Sequence, residues 1–123
     1  MYRLKKRITF EAAHRLPEHK GKCKNLHGHS YIVEVEIMTQ SLNSEGMVCD
    51  FGDIKRVVQE WDHRFLNELP EFSCERSESI PTAENMARII CEKICGFPHT
   101  ERWAVIVRIN ETEDSCAEFF TEG

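Results

Sequence analysis

Apolar and polar residues change their spacing several times along the chain, and each change marks an element. From Tyr2 to Ala12, and again from Tyr31 to Thr39, the period is two. In the second stretch Tyr31, Val33, Val35 and Ile37 alternate with Ile32, Glu34, Glu36 and Met38, as in a strand with two unlike faces. Asn43-Ser44-Glu45-Gly46 then turns the chain. Asp50 suits a helix N-cap and Asp53 a first turn, and Phe51, Ile54, Val57, Val58, Trp61 and Phe65 keep three-and-four spacing. This predicts a helix whose apolar face runs out to Phe65. A second helix is predicted from Pro81-Thr82 to Gly96, with Met86, Ile89, Ile90 and Ile94 inward, Glu84, Arg88 and Glu92 outward, and Pro98 beyond its end. Period two returns at Trp103, Val105, Val107 and Ile109, and Cys116 to Thr121 reads as a last, shorter strand. The order is β-β-α-α-β-β. Its economical α+β solution lays two helices on one face of a four-stranded antiparallel sheet.

No repeat, linker or biased tract interrupts this order, and 123 residues suit a single domain, 1–123, with one core. With 41% hydrophobic and 30% charged residues the composition excludes disordered and collagen-like chains. Acidic residues outnumber basic ones by 21 to 16, which argues against a nucleic-acid or anionic-membrane partner and for a small molecule. The basic stretch Met1 to Arg7 runs into Ile8-Thr9-Phe10-Glu11 rather than an apolar run, so neither a signal peptide nor a membrane span is expected. A cytoplasmic location follows as the expectation, with the six cysteines reduced and available for metal binding, catalysis or packing.

The strongest chemical signal is His27-Gly28-His29 at the opening of the second strand, because residues two apart on a strand place both imidazoles on one face. His14, at the end of the first strand in Glu11-Ala12-Ala13-His14, can join them if the two strands pair. Three histidines with an open fourth position describe a catalytic zinc site. H-x-H alone also occurs as plain loop polarity, so the pattern gains weight only from its companions. Cys23, four residues before His27, can return its sulfur to the same mouth in two ways. It is either a fourth ligand, closing a structural tetrahedron, or a separate thiolate whose proton affinity a nearby dication lowers. Lys20, Lys22 and Lys24 make this loop locally basic, which suits a thiolate or substrate phosphates, although single lysines are more often merely solvated.

Asp62-His63 pairs an acid with a base near the end of the first predicted helix. Helix neighbours point about 100° apart and do not face each other, so a helical His63 would be a surface residue. A functional His63 requires either that the helix open there or that the ring serve a pocket completed by another chain. Glu111 ends the third strand, in Ile109-Asn110-Glu111-Thr112. It reads as a solvated strand-end carboxylate or as an acceptor for two N–H donors, the pattern of the 2-amino-4-oxo edge of a pterin or guanine. Cys49, Cys74 and Cys116 match no motif. Cys91 and Cys95, one helical turn apart beside Ile90 and Ile94, read as small buried apolar residues, and His19 and His99 as solvent-facing.

Taken together, Phe10-Glu11-Ala12-Ala13-His14-Arg15-Leu16, Cys23-x3-His27-Gly28-His29-Ser30, Asp50-Phe51, Asp62-His63-x2-Leu66-Asn67, Pro81-Thr82-x-Glu84-Asn85 and Glu111-Thr112 resemble the 6-pyruvoyl-tetrahydropterin synthase family over nearly the whole chain. Three residues between the Cys and His-Gly-His look like its 6-carboxy-5,6,7,8-tetrahydropterin synthase branch. The resemblance implies a tunnelling (T-) fold assembling as a homohexamer of two trimers around a barrel, with active sites between subunits. It implies His14, His27 and His29 as Zn2+ ligands, Cys23 as proton acceptor, Asp62 and His63 as a second acid–base pair, Glu111 as pterin anchor and Thr82 as a further pterin contact. The substrate implied is a pterin triphosphate, 7,8-dihydroneopterin triphosphate, cleaved to 6-carboxytetrahydropterin, acetaldehyde and triphosphate in queuosine biosynthesis. The pyruvoyl-type reaction, which eliminates triphosphate without breaking the carbon chain, and a closed structural zinc knot of one cysteine and three histidines are the alternatives. Trp61 and Asn110 depart from the residues usual in the family beside Asp62 and Glu111.

Overall fold

The computed structural model describes residues 1–17 and 21–121, with Lys22 described by its backbone only. The expectations for His19, Lys20 and the Lys22 side chain lie outside the described residues. Two long strands, β1 (Tyr2–His14) and β2 (His27–Thr39), pair antiparallel over their whole lengths, from Tyr2 opposite Thr39 to His14 opposite His27. Helix α1 (Phe51–Gln59), a two-residue strand β3 (Arg64–Phe65), helix α2 (Ala83–Cys95) and the hairpin β4 (Ala104–Thr112) and β5 (Ser115–Phe120) follow. The sheet order is β3-β1-β2-β4-β5, antiparallel except where β3 runs parallel to Ala12 and Ala13.

Alternation sets the two faces as the period predicted. Ile8, Phe10, Ala12 and His14 of β1 and Tyr31, Val33, Val35 and Ile37 of β2 are buried beneath the helices. Ile54 and Val58 of α1 and Met86, Ile90 and Ile94 of α2 close that core. Burying five such side chains contributes about 1.5–3 kcal/mol each, which makes this layer the main stabilising term. The other face carries charge: Glu36 receives Arg108, and Arg3 and Lys5 lie 3.6 and 3.7 Å away. The helix starts are as read. Asp50 Oδ1 accepts from the Gly52 amide at 2.7 Å, and Thr82 Oγ1 from the Asn85 amide at 3.2 Å.

Three expectations are corrected. The sheet has five strands, not four, because β3 adds to the free edge of β1. The first helix stops at Gln59 rather than Phe65, because Asp62 and His63 bond to the β1 backbone instead of continuing the helical ladder. Trp61 keeps its buried place from a turn, its indole N–H donating to Glu71 at 2.8 Å, while Phe51, expected inside, is 51% exposed with Lys6 over its ring.

Candidate active site and metal centre

Pairing of β1 with β2 puts His14 opposite His27, and alternation points His14, His27 and His29 to the helix side of the sheet. The rings meet edge to face, with centroids 4.5 to 5.1 Å apart. One nitrogen from each lies within 4.8 Å of the others. His14 is fully buried, and its Nδ1 lies 2.7 Å from the Pro81 carbonyl. His27 Nδ1 lies 2.7 Å from the Asn25 carbonyl. A carbonyl only accepts, so each Nδ1 carries the proton and each Nε2 keeps its lone pair. The Nε2 atoms of all three rings are buried without a hydrogen-bond partner. Three bare, converging imidazole nitrogens fit a divalent metal, and a buried orphan acceptor is otherwise costly by about 1–3 kcal/mol.

Burial drives His14 down to about 4, opposed by the Pro81 carbonyl and reinforced by the neighbouring imidazoles, and burial likewise lowers His29. Both rings are therefore neutral ligands near neutrality. Two supports were not singled out in the sequence. The Tyr31 hydroxyl lies 3.2 Å from His14 Nδ1, and Tyr31 stacks on Phe10. Tyr31 follows His29 by two residues on the same face, which is the signal that could have found it. Burial, then the Glu111 charge, raises its hydroxyl far above the ordinary value, so it stays protonated.

Glu111 stands at the same mouth. Between β4 and β5, Asn110 opposes Cys116 and Thr112 opposes Ser115, so Glu111 is the extra residue of a β-bulge, a device that re-aims a side chain. Its carboxylate oxygens lie 4.0 Å from His14 Nε2 and 3.9 Å from His29 Nε2. Cys23 sits half-buried in a single turn at Lys22–Lys24, tied back by the Leu16 amide donating to its carbonyl at 2.7 Å. Among the described residues the group able to hold a metal consists of the three histidines, without Cys23. Thr82 caps α2, and the Pro81 carbonyl just before it holds His14.

Asp62 and His63 occupy the turn that ends the helix early. His63 adopts a φ of 59°, its amide donates to the Glu11 carbonyl at 2.6 Å, and Asp62 Oδ1 accepts from the Glu11 amide at 2.8 Å. Freed from helical geometry, the two side chains do meet: His63 Nδ1 is 3.0 Å from Asp62 Oδ2. The Glu11 amide first, then His63, holds the Asp62 carboxyl below the usual range against some desolvation. His63 is 78% exposed and lines a cleft of about 460 Å³ together with Glu11, Ser30 and His29, one of the three imidazole residues. Of the remaining thiols, Cys49 and Cys91 are buried, Cys95 is half-buried, and Cys74 and Cys116 are exposed. His99 is exposed, with its ring stacked on Trp103.

The family model of 6-pyruvoyl tetrahydropterin synthase matches residues 3–122. The chain belongs to this family. Among relatives of this pterin synthase domain, a 6-carboxy-5,6,7,8-tetrahydropterin synthase of Rickettsia conorii is 43% identical, over 80% of this chain and 82% of that one. One of the same name from Haemophilus influenzae is 33% identical over 97% and 99%. The 6-pyruvoyl tetrahydropterin synthase structure of Caenorhabditis elegans superposes with a TM-score of 0.68 at 27% identity, covering 99% of this chain and 95% of that one. The family's T-fold is thus the fold seen here, two helices on one face of a mostly antiparallel sheet. Among the described residues no helix is long and apolar enough to cross a membrane.

Proposed function

We propose that the protein is a zinc-dependent 6-carboxy-5,6,7,8-tetrahydropterin synthase, a lyase acting on 7,8-dihydroneopterin triphosphate in the cytoplasm and feeding queuosine or a related deazapurine. The observation that carries this reading is the trio of buried, unpartnered Nε2 atoms with Cys23 outside it, an incomplete donor set that suits catalysis better than a closed knot. Relatives bearing the name of this synthase support the choice of reaction.

His14, His27 and His29 would hold a zinc ion, which when bound would supply Lewis-acid chemistry to the substrate side chain. Glu111 accepts the paired N–H donors of the pterin edge, and Thr82, whose Oγ1 takes the Asn85 amide, has its hydroxyl proton left for the ring. Cys23 takes a carbon-bound proton of that side chain. His63 acts on the other side-chain position. With Nδ1–H donating to Asp62, its Nε2 accepts the hydroxyl proton whose loss precedes carbon–carbon cleavage. Exposed beside Asp62, His63 completes a site formed between subunits, in a homohexamer built of two trimers.

Incubating the zinc-loaded protein with dihydroneopterin triphosphate is expected to release acetaldehyde together with 6-carboxytetrahydropterin and triphosphate. A pyruvoyl product without acetaldehyde would instead assign the elimination reaction, and no turnover at all would leave the closed zinc knot.

A further inference from the structure

The backbone ladder between β1 and β3 covers two residue pairs, Ala12 with Arg64 and Ala13 with Phe65. Beyond it a side chain takes over. Asn67, in the single turn Leu66–Glu68 that follows β3, accepts the Arg15 amide proton on Oδ1 at 2.9 Å and donates from Nδ2 to the Arg15 carbonyl at 3.0 Å. One primary amide thus satisfies both backbone groups of a residue, as a neighbouring strand would. Its orientation follows from the pair of bonds, since a backbone N–H only donates and a carbonyl only accepts. Nδ2 also donates to Cys74 Sγ at 3.4 Å, so the amide is engaged on every side.

The next residue carries the hold onward. Leu16, beside Arg15, donates its amide to the Cys23 carbonyl at 2.7 Å, and this bond ties back the turn that bears the Cys23 thiol. A series of bonds therefore runs from Asn67 through Arg15 and Leu16 to Cys23. At the other end of the same segment Asp62 accepts the Glu11 amide, so residues 62–67 are stitched to β1 on both sides of the two-residue ladder. His14 does not depend on this stitch, because its ring is buried and bonded to Pro81. We infer that Asn67 is a positioning residue for Cys23, holding its sulfur at a fixed place beside the histidine group while leaving the metal ligands to their own supports. The role of Cys23 as proton acceptor rests on the proposed reaction; the hold of Asn67 on the turn does not.

The zinc-loaded protein and its Asn67→Ala variant are compared by three readouts. Hydrogen exchange of the Leu16 amide is expected to speed up roughly tenfold in the variant relative to amides in the middle of β2, the protection that about one hydrogen bond supplies. Alkylation of Cys23 by iodoacetamide, followed by mass on its own peptide, should accelerate by a similar factor with bound zinc unchanged. For dihydroneopterin triphosphate, kcat should fall roughly tenfold to a hundredfold at a nearly constant KM, the cost of displacing a reacting group by up to about an ångström. A purely structural Asn67 would instead lower the melting temperature and leave Leu16 and Cys23 in step with the rest of the sheet, which would overturn the assignment. Loss of zinc also overturns it, because Asn67 would then support the histidines, and so does an unaltered kcat beside faster exchange. Absence of turnover in the unsubstituted protein would count against the proposed reaction alone, leaving exchange and alkylation to decide whether Asn67 holds the turn. Should Asn67→Ala fold poorly, Asn67→Asp keeps the oxygen that accepts the Arg15 amide and sets a second oxygen against the Arg15 carbonyl, and the same changes are expected.

Discussion

At the residue scale, His14 shows how burial and hydrogen bonding prepare a ligand. The ring is inaccessible to water, its Nδ1 proton is committed to Pro81, and burial lowers its proton affinity to about 4 from 6.5. The unfolded chain therefore binds a proton that the native metal-free protein refuses between those values, so stability is complete above about 6.5 and declines as pH falls toward 4. The full effect is on the order of 3 kcal/mol. Urea midpoints of the metal-free protein should fall between pH 7 and pH 5, a window above the titration of ordinary carboxylates, and a His14→Gln variant should show a flatter profile. A midpoint constant over that window would refute this account. The H-x-H spacing made His27 and His29 legible in the sequence. The Pro81 and Asn25 carbonyls that orient the rings were not, because backbone acceptors leave no mark on residue identity.

At the element scale, the sequence revealed both helices, the Asp50 cap, the start of the second helix at Pro81-Thr82 and the four main strands. Periodicity misread the end of α1, since Trp61 and Phe65 continue the three-and-four spacing although one is buried from a turn and the other packs from a strand. Competition decides this segment: the helical ladder loses to two bonds with the Glu11 backbone, at the expense of a left-handed residue at His63. A β-carbon in that conformation costs about 1–2 kcal/mol, which glycine escapes. His63→Gly is accordingly expected to match or exceed His63→Ala in stability by about 1 kcal/mol, while both lose the proposed turnover. If chemical denaturation ranks Ala above Gly, the turn is not held in the conformation described. The Glu111 bulge was also invisible in advance, because an extra residue in one strand is defined only by its partner.

At the scale of the whole molecule, two sets of chemical groups lie at one end of the sheet. The imidazoles gather with Glu111, and the exposed His63 lines a cleft with Glu11, Ser30 and His29. If the site lies between subunits, as proposed, the two bases of one centre are supplied by different chains. Cys23→Ala is expected to keep zinc and fold, since Cys23 stands outside the histidine group, yet to be inactive. His63→Ala is expected to be inactive as well. Dissociating the two variants, mixing them and allowing reassembly should restore acetaldehyde release, because mixed contacts pair an intact Cys23 from one chain with an intact His63 from another. Mixed assemblies that remain inactive, although verified by mass, would mean that both bases act within a single chain, through the cleft that His63 shares with His29.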